Sequence, residues 1–445
     1  MTEMTRTMLS AFGLALLLAC GQIAFSQQTN GPEKPSLEDS KQLDAVSQEA
    51  AKLEADLNKF KDTSPEAGDL LVKLVDLYHQ HGRVFGLIRA GQRFAAAHPS
   101  DPRNQAVMLK LIDGLEVMAR HKELTVTIRQ FLQKYPQAPQ NVDLEERLAK
   151  ALDKLNDRAK AAEAYRALWQ RQPNANGRKA GEAAIWRFNN GNQQEIFAGA
   201  ELAEEMLDKL PAGEFTKLIA HQGYYRWRQY GQWAKACTLG TKMLAKGLPL
   251  TPEETRELHR TLGESFAYLG QYANSANHYR QARAIRDDWS VLNALINSMY
   301  YSQAKGAEFE PLVNEFDAKF PDREERFEKR ALLAIALIRD GDKARGLEMI
   351  KPLLAFNPYL HSIASVFVQN SGTEPEQWQA AEAVLKDALA KNPKYNAFYL
   401  RYVLALEIYR DRLKDDAKCK AMCREYLDQV PGNDGHSWNI LSHLL

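Results

Sequence analysis

Prolines recur along this chain at a nearly fixed step, and that period restricts the fold more than any other feature. They stand at Pro65, Pro99, Pro136, Pro173, Pro211, Pro249, Pro321, Pro358, Pro393 and Pro431, with steps of 34 to 38 residues and one double step of 72. Asp287 and Asp288 occupy the middle of the double step, where a proline is missing. A step of this size fits one helix–turn–helix unit with its connection. Proline belongs between such units because it cannot continue a helix's hydrogen-bond ladder.

A second pattern is locked to the first. Five residues before each proline from Pro99 onward stand Phe94, Phe131, Leu168, Met206, Leu244, Phe316, Leu353, Ala388 and Tyr426. All nine are apolar, where a chain that is 45% hydrophobic would give about four by chance, so the phase is selected. Packing residues recur three or four positions apart, as in Leu385 before Leu389 and Ala161 and Tyr165 before Leu168, and complete the stripe of a helix that buries one side. A hairpin this short cannot bury its stripe alone, so its stability must come from stacking on neighbours.

The segment Leu262, Gly263, Phe266, Gly270, Tyr272, Ser275, Tyr279, Ala282 resembles a tetratricopeptide (TPR) repeat unit. Partial matches are Ala161, Tyr165, Leu168, Pro173, then Leu333, Ala334, Leu337, Gly341, Leu353, Pro358, then Ala381, Leu385, Ala388, Pro393. His259 stands where the family usually has a large aromatic residue, and the stretch 359–372 leaves room for only a short first helix. The resemblance covers residues 66–431. It implies an all-α, right-handed superhelix (solenoid) of about ten antiparallel helical hairpins, with first helices lining a concave groove.

The array has flanks of a different character. Arg6 followed by the apolar run Met8–Ala19 and by Ala24-Phe25-Ser26 reads as a signal peptide over residues 1–26, with cleavage before Gln27. Leu17-Leu18-Ala19-Cys20-Gly21 offers a competing lipobox in which Cys20 carries a lipid tether, and an uncleaved anchor is a third reading. Residues 27–35 carry no apolar pattern and read as a flexible linker. In the segment 36–64, Leu43, Val46, Ala50, Leu53, Leu57 and Phe60 form a heptad seam. That seam suits a helix capping the first hairpin, or a short coiled coil that makes the protein oligomeric. Residues 432–445, with Trp438, Ile440, Leu441 and Leu444, suit a terminal capping helix.

Charge and motifs narrow the chemistry. Lys and Arg total 58 against 57 Asp and Glu, with no basic block, so a nucleic-acid partner is not expected. Cys237, Cys419 and Cys423, an odd number beyond the leader, argue against a disulfide framework. Cys419, Cys423, His436 and His443 imitate a zinc-finger spacing, but the cysteines fall on a packing helix of the repeat and no metal is expected. Glu264-Ser265-Phe266 resembles the acid motif of lytic transglycosylases, yet Glu264 lies inside the best repeat unit. No nucleophile elbow, phosphate loop, zinc-protease helix or dinucleotide fingerprint is present, so no catalytic residue and no cofactor is expected.

Aromatic residues and arginines concentrate between 186 and 301. Helical phase places Trp186, Trp227, Phe266 and Tyr300 in the core, and Phe188, Tyr225, Arg228, Arg260, Tyr268 and Tyr301 toward the groove. Flat rings beside arginine make anchors for an extended peptide or its acidic groups. The expectation is an exported, periplasmic or envelope-associated scaffold for a protein or peptide partner. TPR proteins of that compartment serve outer-membrane assembly, division-linked wall synthesis, secretion and polysaccharide export. The alternative is a helical-hairpin enzyme or glycan-binding protein of the α/α-toroid type.

Overall fold

The structure is a computed structural model, and it describes residues 37–357, 362–391, 397–429, 440 and 442. The signal, Cys20, the linker and nearly all of the terminal capping segment 432–445 lie outside the described residues, as do Pro358, Pro393, Pro431, His436 and His443. Every regular element among the described residues is helical. The chain forms two compact units, residues 1–138 and 139–445.

The first unit contains α1 (Leu37–Leu57), α2 (Pro65–Gln80), α3 (Val84–Ala97), α4 (Asn104–Val117) and α5 (His121–Lys134). Here α2–α3 and α4–α5 are hairpins. From the heptad seam, Val46, Ala50 and Leu57 are buried with Leu71, Leu74, Val75 and Phe94, while Phe60 is exposed. The seam therefore lies against α2 and α3 of its own chain.

Among the described residues the second unit contains eight hairpins. They pair α6 (Asn141–Lys154) with α7 (Arg158–Arg171), α8 (Arg178–Phe188) with α9 (Gln193–Lys209), and α10 (Glu214–Gln229) with α11 (Trp233–Ala245). Next come α12 (Pro252–Tyr268) with α13 (Tyr272–Ile285), α14 (Trp289–Tyr301) with α15 (Gly306–Lys319), and α16 (Glu325–Arg339) with α17 (Lys343–Phe356). The last two pair α18 (Ile363–Asn370) with α19 (Pro375–Lys391), and α20 (Ala397–Val403) with α21 (Asp416–Gln429). Helix α20 runs on as a π-helix over Leu404–Leu413.

Local chemistry sets these boundaries. Ser64 caps α2 by accepting from the Ala67 N–H, with Pro65 as the first helical residue, so this proline opens a helix and does not follow one. Asp157, Asn192 and Asp288 cap α7, α9 and α14 in the same way. Thr251 and Glu254 form a reciprocal capping box at α12. Most hairpin turns contain one left-handed residue: Gly82, Gly231, Gly270 or Gly341, and elsewhere Ala119, Asn156, Gln303 or Lys414. That conformation redirects the chain within two or three residues and leaves adjacent helices antiparallel.

The phase read from the prolines is the phase of the core. Phe94, Phe131, Met206, Phe316, Leu353, Ala388 and Tyr426 are almost fully inaccessible, Leu168 is buried, and Leu244 is half-buried. Large side chains such as these bury about 1.5–3 kcal/mol each of favourable transfer energy. Within the second unit, ion pairs also tie successive layers. First helices are joined through Arg187–Asp153 and Arg256–Asp288, second helices through Lys242–Glu204 (2.8 Å) and Arg283–Glu315 (2.5 Å), and Lys319 of α15 pairs with Asp287 in the connection before α14 (2.9 Å). The more exposed of these pairs contribute about 0–1 kcal/mol each and set register more than stability, whereas the Arg256 guanidinium is buried and depends on its partner.

Candidate partner-binding face

Three consecutive first helices, α10, α12 and α14, turn one side inward and the other outward. On α10 the inward stripe is Thr216, Ile219, Ala220, Gly223, Tyr224 and Trp227, all buried. Gly223 is needed there, because a Cβ would lie 2.8 Å from the Cβ of Ala203 and 3.2 Å from the Ala200 carbonyl oxygen. The opposite side carries Leu218, His221, Tyr225 and Arg228, spaced three, four and three residues apart as one helical face requires. On α12 the corresponding residues are Glu257, Arg260, Glu264 and Tyr268, and on α14 they are Asn293, Asn297 and Tyr301.

Charge on this face is organised across helices. Arg228 of α10 donates to Glu264 of α12 at 2.6 Å. Arg260 pairs with Glu257 at 2.6 Å and stands 3.8 Å from Glu264. Burial pushes the Glu257 carboxyl up, and Arg260, Arg228 and Arg256 more than reverse that, leaving it below its ordinary value. The hydrogen bonds that Arg260 donates to Glu257 chiefly hold its guanidinium above its ordinary value. Burial lowers His221, which lines a hollow of about 470 Å³ with Phe215, Lys217, Leu218 and Glu254. On α16, Lys329 is fully inaccessible and donates to the Asn297 side-chain oxygen at 2.5 Å, and burial lowers its pKa.

The residues expected at a groove do not all share this face. Tyr225 (52% exposed), Arg228 and Arg260 do. Tyr268 (61%) and Tyr301 (44%) share it as well, at the ends of their helices, where each also packs on an aromatic residue of the preceding hairpin. Phe188 is not at the surface. It is 1% exposed, whereas Trp186, expected in the core, is 60% exposed. The buried stripe of α8 runs Ala180, Ala184, Phe188 and Gly181, Ile185, so Phe188 continues it. Trp186 lies two residues, about 200°, away around the helix. Trp227 is fully buried as expected, and Phe266 and Tyr300 are half-buried.

Sequence reading missed several members. Glu257 and Glu264 complete the charged cluster, and their spacing to Arg260, three before and four after, was the available signal. Arg187 lies 4.3 Å over the Tyr165 ring and donates to Asp153 at 2.7 Å, a position visible only once α6 and α8 are neighbours. Cys237, Cys419 and Cys423 are all buried free thiols.

No family model matches the sequence, and no curated protein matches it. Solved structures align in part. A tetratricopeptide repeat protein from Parabacteroides merdae is 12% identical, covering 52% of this chain and 98% of its own, with a TM-score of 0.23. Yeast Tom70 is 13% identical over 89% and 95%, with a TM-score of 0.30. The P58(IPK) TPR domain is 13% identical over 85% and 96%, with a TM-score of 0.25. At these scores the fold rests on the hairpins themselves. Gly263 sits 3.0 Å, measured from an added Cβ, under the Tyr279 ring, and Ser275 and Ala282 are buried between α12 and its neighbours, as the resembling motif requires. The chain has a TPR-like helical-repeat fold.

Proposed function

We propose that this protein is an exported, non-enzymatic scaffold that holds an extended segment of a partner protein against the outward face of α10, α12 and α14. The observation that carries this reading is the cross-helix cluster Arg228–Glu264–Arg260–Glu257, flanked by the exposed ring of Tyr225. Each arginine is already paired, so the surface carries little net charge. A partner segment with both an acidic and a basic side chain can exchange into these pairs without stranding a charge. Tyr225 supplies flat apolar area at low entropic cost.

Export rests on the N-terminal sequence, and a role in envelope assembly or secretion follows from export combined with a repeat fold. No described helix is long and apolar enough to cross a membrane. The test is recovery of partners from envelope extract with the protein and with Tyr225→Ala/Arg228→Ala. Loss of the major partners in the double variant supports the face. Retention of the same partners by both removes it.

A further inference from the structure

In the first unit a hollow of about 590 Å³ lies between the second helices α3 and α5. Ala95 and Ala96 of α3 and Val126 of α5 form its walls, and the buried Met108 and Leu111 of α4 its floor. Val126 is 52% exposed although Leu124 and Ile128 of the same helix are buried. Thr127 also lines the hollow, but its hydroxyl is engaged by the Glu123 carbonyl at 2.9 Å. A polar bridge crosses each end. Gln92 of α3 donates to Glu123 in the first turn of α5 at 2.9 Å, and Lys134, the last residue of α5, donates to the Pro99 carbonyl beyond α3. Helix α5 rises about 16 Å from Glu123 to Lys134.

The two ends differ in charge. The Lys134 ammonium is held by neutral acceptors, the Pro99 carbonyl and the Asn104 side-chain oxygen (3.3 Å), and among the described residues no carboxylate pairs with it. Asn104 is itself fixed, 1% exposed and donating to the His98 carbonyl at 3.1 Å. Asp101, two residues beyond Pro99, is taken by Arg103 at 2.8 Å. At the other end both signs are present: Glu123 lies between Gln92 and Arg120 (2.6 Å), with Lys122 next in sequence.

We propose that this hollow binds a medium-chain fatty carboxylate, its head on Lys134 and its tail along Val126 toward Glu123. Apolar walls with a few placed polar groups, in a volume of this order, are the usual make-up of a small-molecule pocket. Length sets the chain. On C–C bonds of about 1.5 Å an extended chain advances roughly 1.3 Å per carbon, so a span of about 16 Å takes about twelve carbons. Charge sets the head. A carboxylate gives Lys134 a charge-assisted hydrogen bond, stronger than those to its present neutral acceptors, which already hold the ammonium in place. A cationic head would meet like charge there. A peptide helix is about 10–12 Å across and runs on past its contacts, so bridges over both ends of the hollow select against it. The site uses no residue of the partner-binding face.

The test is calorimetric titration of the full chain with dodecanoate, kept below the concentration at which it forms micelles. Dodecyltrimethylammonium, with the same tail and the opposite charge, and acetate, the head alone, are the other arms. Dodecanoate should bind saturably, one per chain, and both other ligands far more weakly. Lys134→Gln should weaken dodecanoate about tenfold, as the loss of one charge-assisted hydrogen bond implies, and Lys122→Gln should weaken it less. Ala96→Trp fills the hollow and should abolish binding, with circular dichroism reporting the fold of each variant. Absence of saturable dodecanoate binding overturns the proposal. So does equal binding of either other ligand, undiminished binding in folded Lys134→Gln or Ala96→Trp, or a larger loss in Lys122→Gln than in Lys134→Gln.

Discussion

Between α12 and α14 the buried polar groups are hydroxyls apart from the Arg256 guanidinium, which is paired with Asp288, whereas between α18 and α20 they are mainly charges. Ser275 donates to the Gly263 carbonyl (2.7 Å) and lies 2.9 Å from Ser298, and Ser265 bonds back to the Thr261 carbonyl (2.8 Å). Nearby, Tyr224 donates to Thr261 at 2.9 Å, and burial pushes its hydroxyl up to about 12. A hydroxyl brings its own donor and acceptor and is satisfied within a regular helix, so the hairpin geometry is undisturbed. In the C-terminal hairpins Glu382 is buried and accepts from Tyr409 (2.9 Å) and Lys386 (2.7 Å). Glu407 accepts from Ser365, whose hydroxyl also lies 3.0 Å from Tyr399. Both contacts come from the stretch wound as a π-helix, a form that recurs where helices accommodate special side chains. The hydroxyls are satisfied within regular helices, whereas Glu382 and Glu407 draw on or belong to the stretch that departs from regularity.

The largest effect expected lies in the regular region. Trp227 is wholly buried beside Phe197 and under Lys235, so Trp227→Ala should cost about 3–5 kcal/mol in chemical denaturation. Next, Glu382→Ala leaves buried partners unmatched and should cost about 1–3 kcal/mol, against about 1 kcal/mol for Ser275→Ala. Equal losses would erase the distinction between the two regions. Turn residues give a third contrast with opposite signs. Gly270 and Lys414 both have positive φ, 70° and 53°, so Gly270→Ala should destabilise by about 1 kcal/mol and Lys414→Gly should stabilise by a similar amount.

Acid should act on the two regions in opposite directions. His278 lies 3.0 Å from His259 through their Nδ1 atoms, and burial chiefly lowers it to about 4. Its neutral form is favoured in the fold, so that stability is complete above 6.5 and is lost as pH falls toward 4. A His278→Gln variant should show a flatter melting profile over that window. Burial raises Glu407, so ionising it is disfavoured in the fold. Glu407→Gln should therefore melt higher than wild type at neutral pH, and the gain should vanish on acidification below 4.5.

Much of this was readable in the residues. The proline period and the apolar residue five positions before it located the hairpins, because both report where a helix must end and which side must be buried. Tyr225, Arg228 and Arg260 were legible for the same reason. Phe188 and Trp186 were exchanged because α8 is only 11 residues long, and its phase does not follow from that of its longer neighbours. The π-helical stretch, the burial of Lys329 against Asn297 and the ring pairs at the hairpin ends depend on contacts between layers, which one-dimensional spacing does not carry. The division after Ala138 leaves no mark in the proline steps.

The most direct measurement places a photo-crosslinking amino acid at Tyr225, on the outward face of α10, and separately at Glu201, an exposed residue of the second helix α9. Irradiation in intact cells should give a discrete adduct from position 225, lost in an Arg228→Ala background, and none from position 201. Adducts of equal yield at both positions, or at 201 alone, would contradict a partner held on the first-helix face.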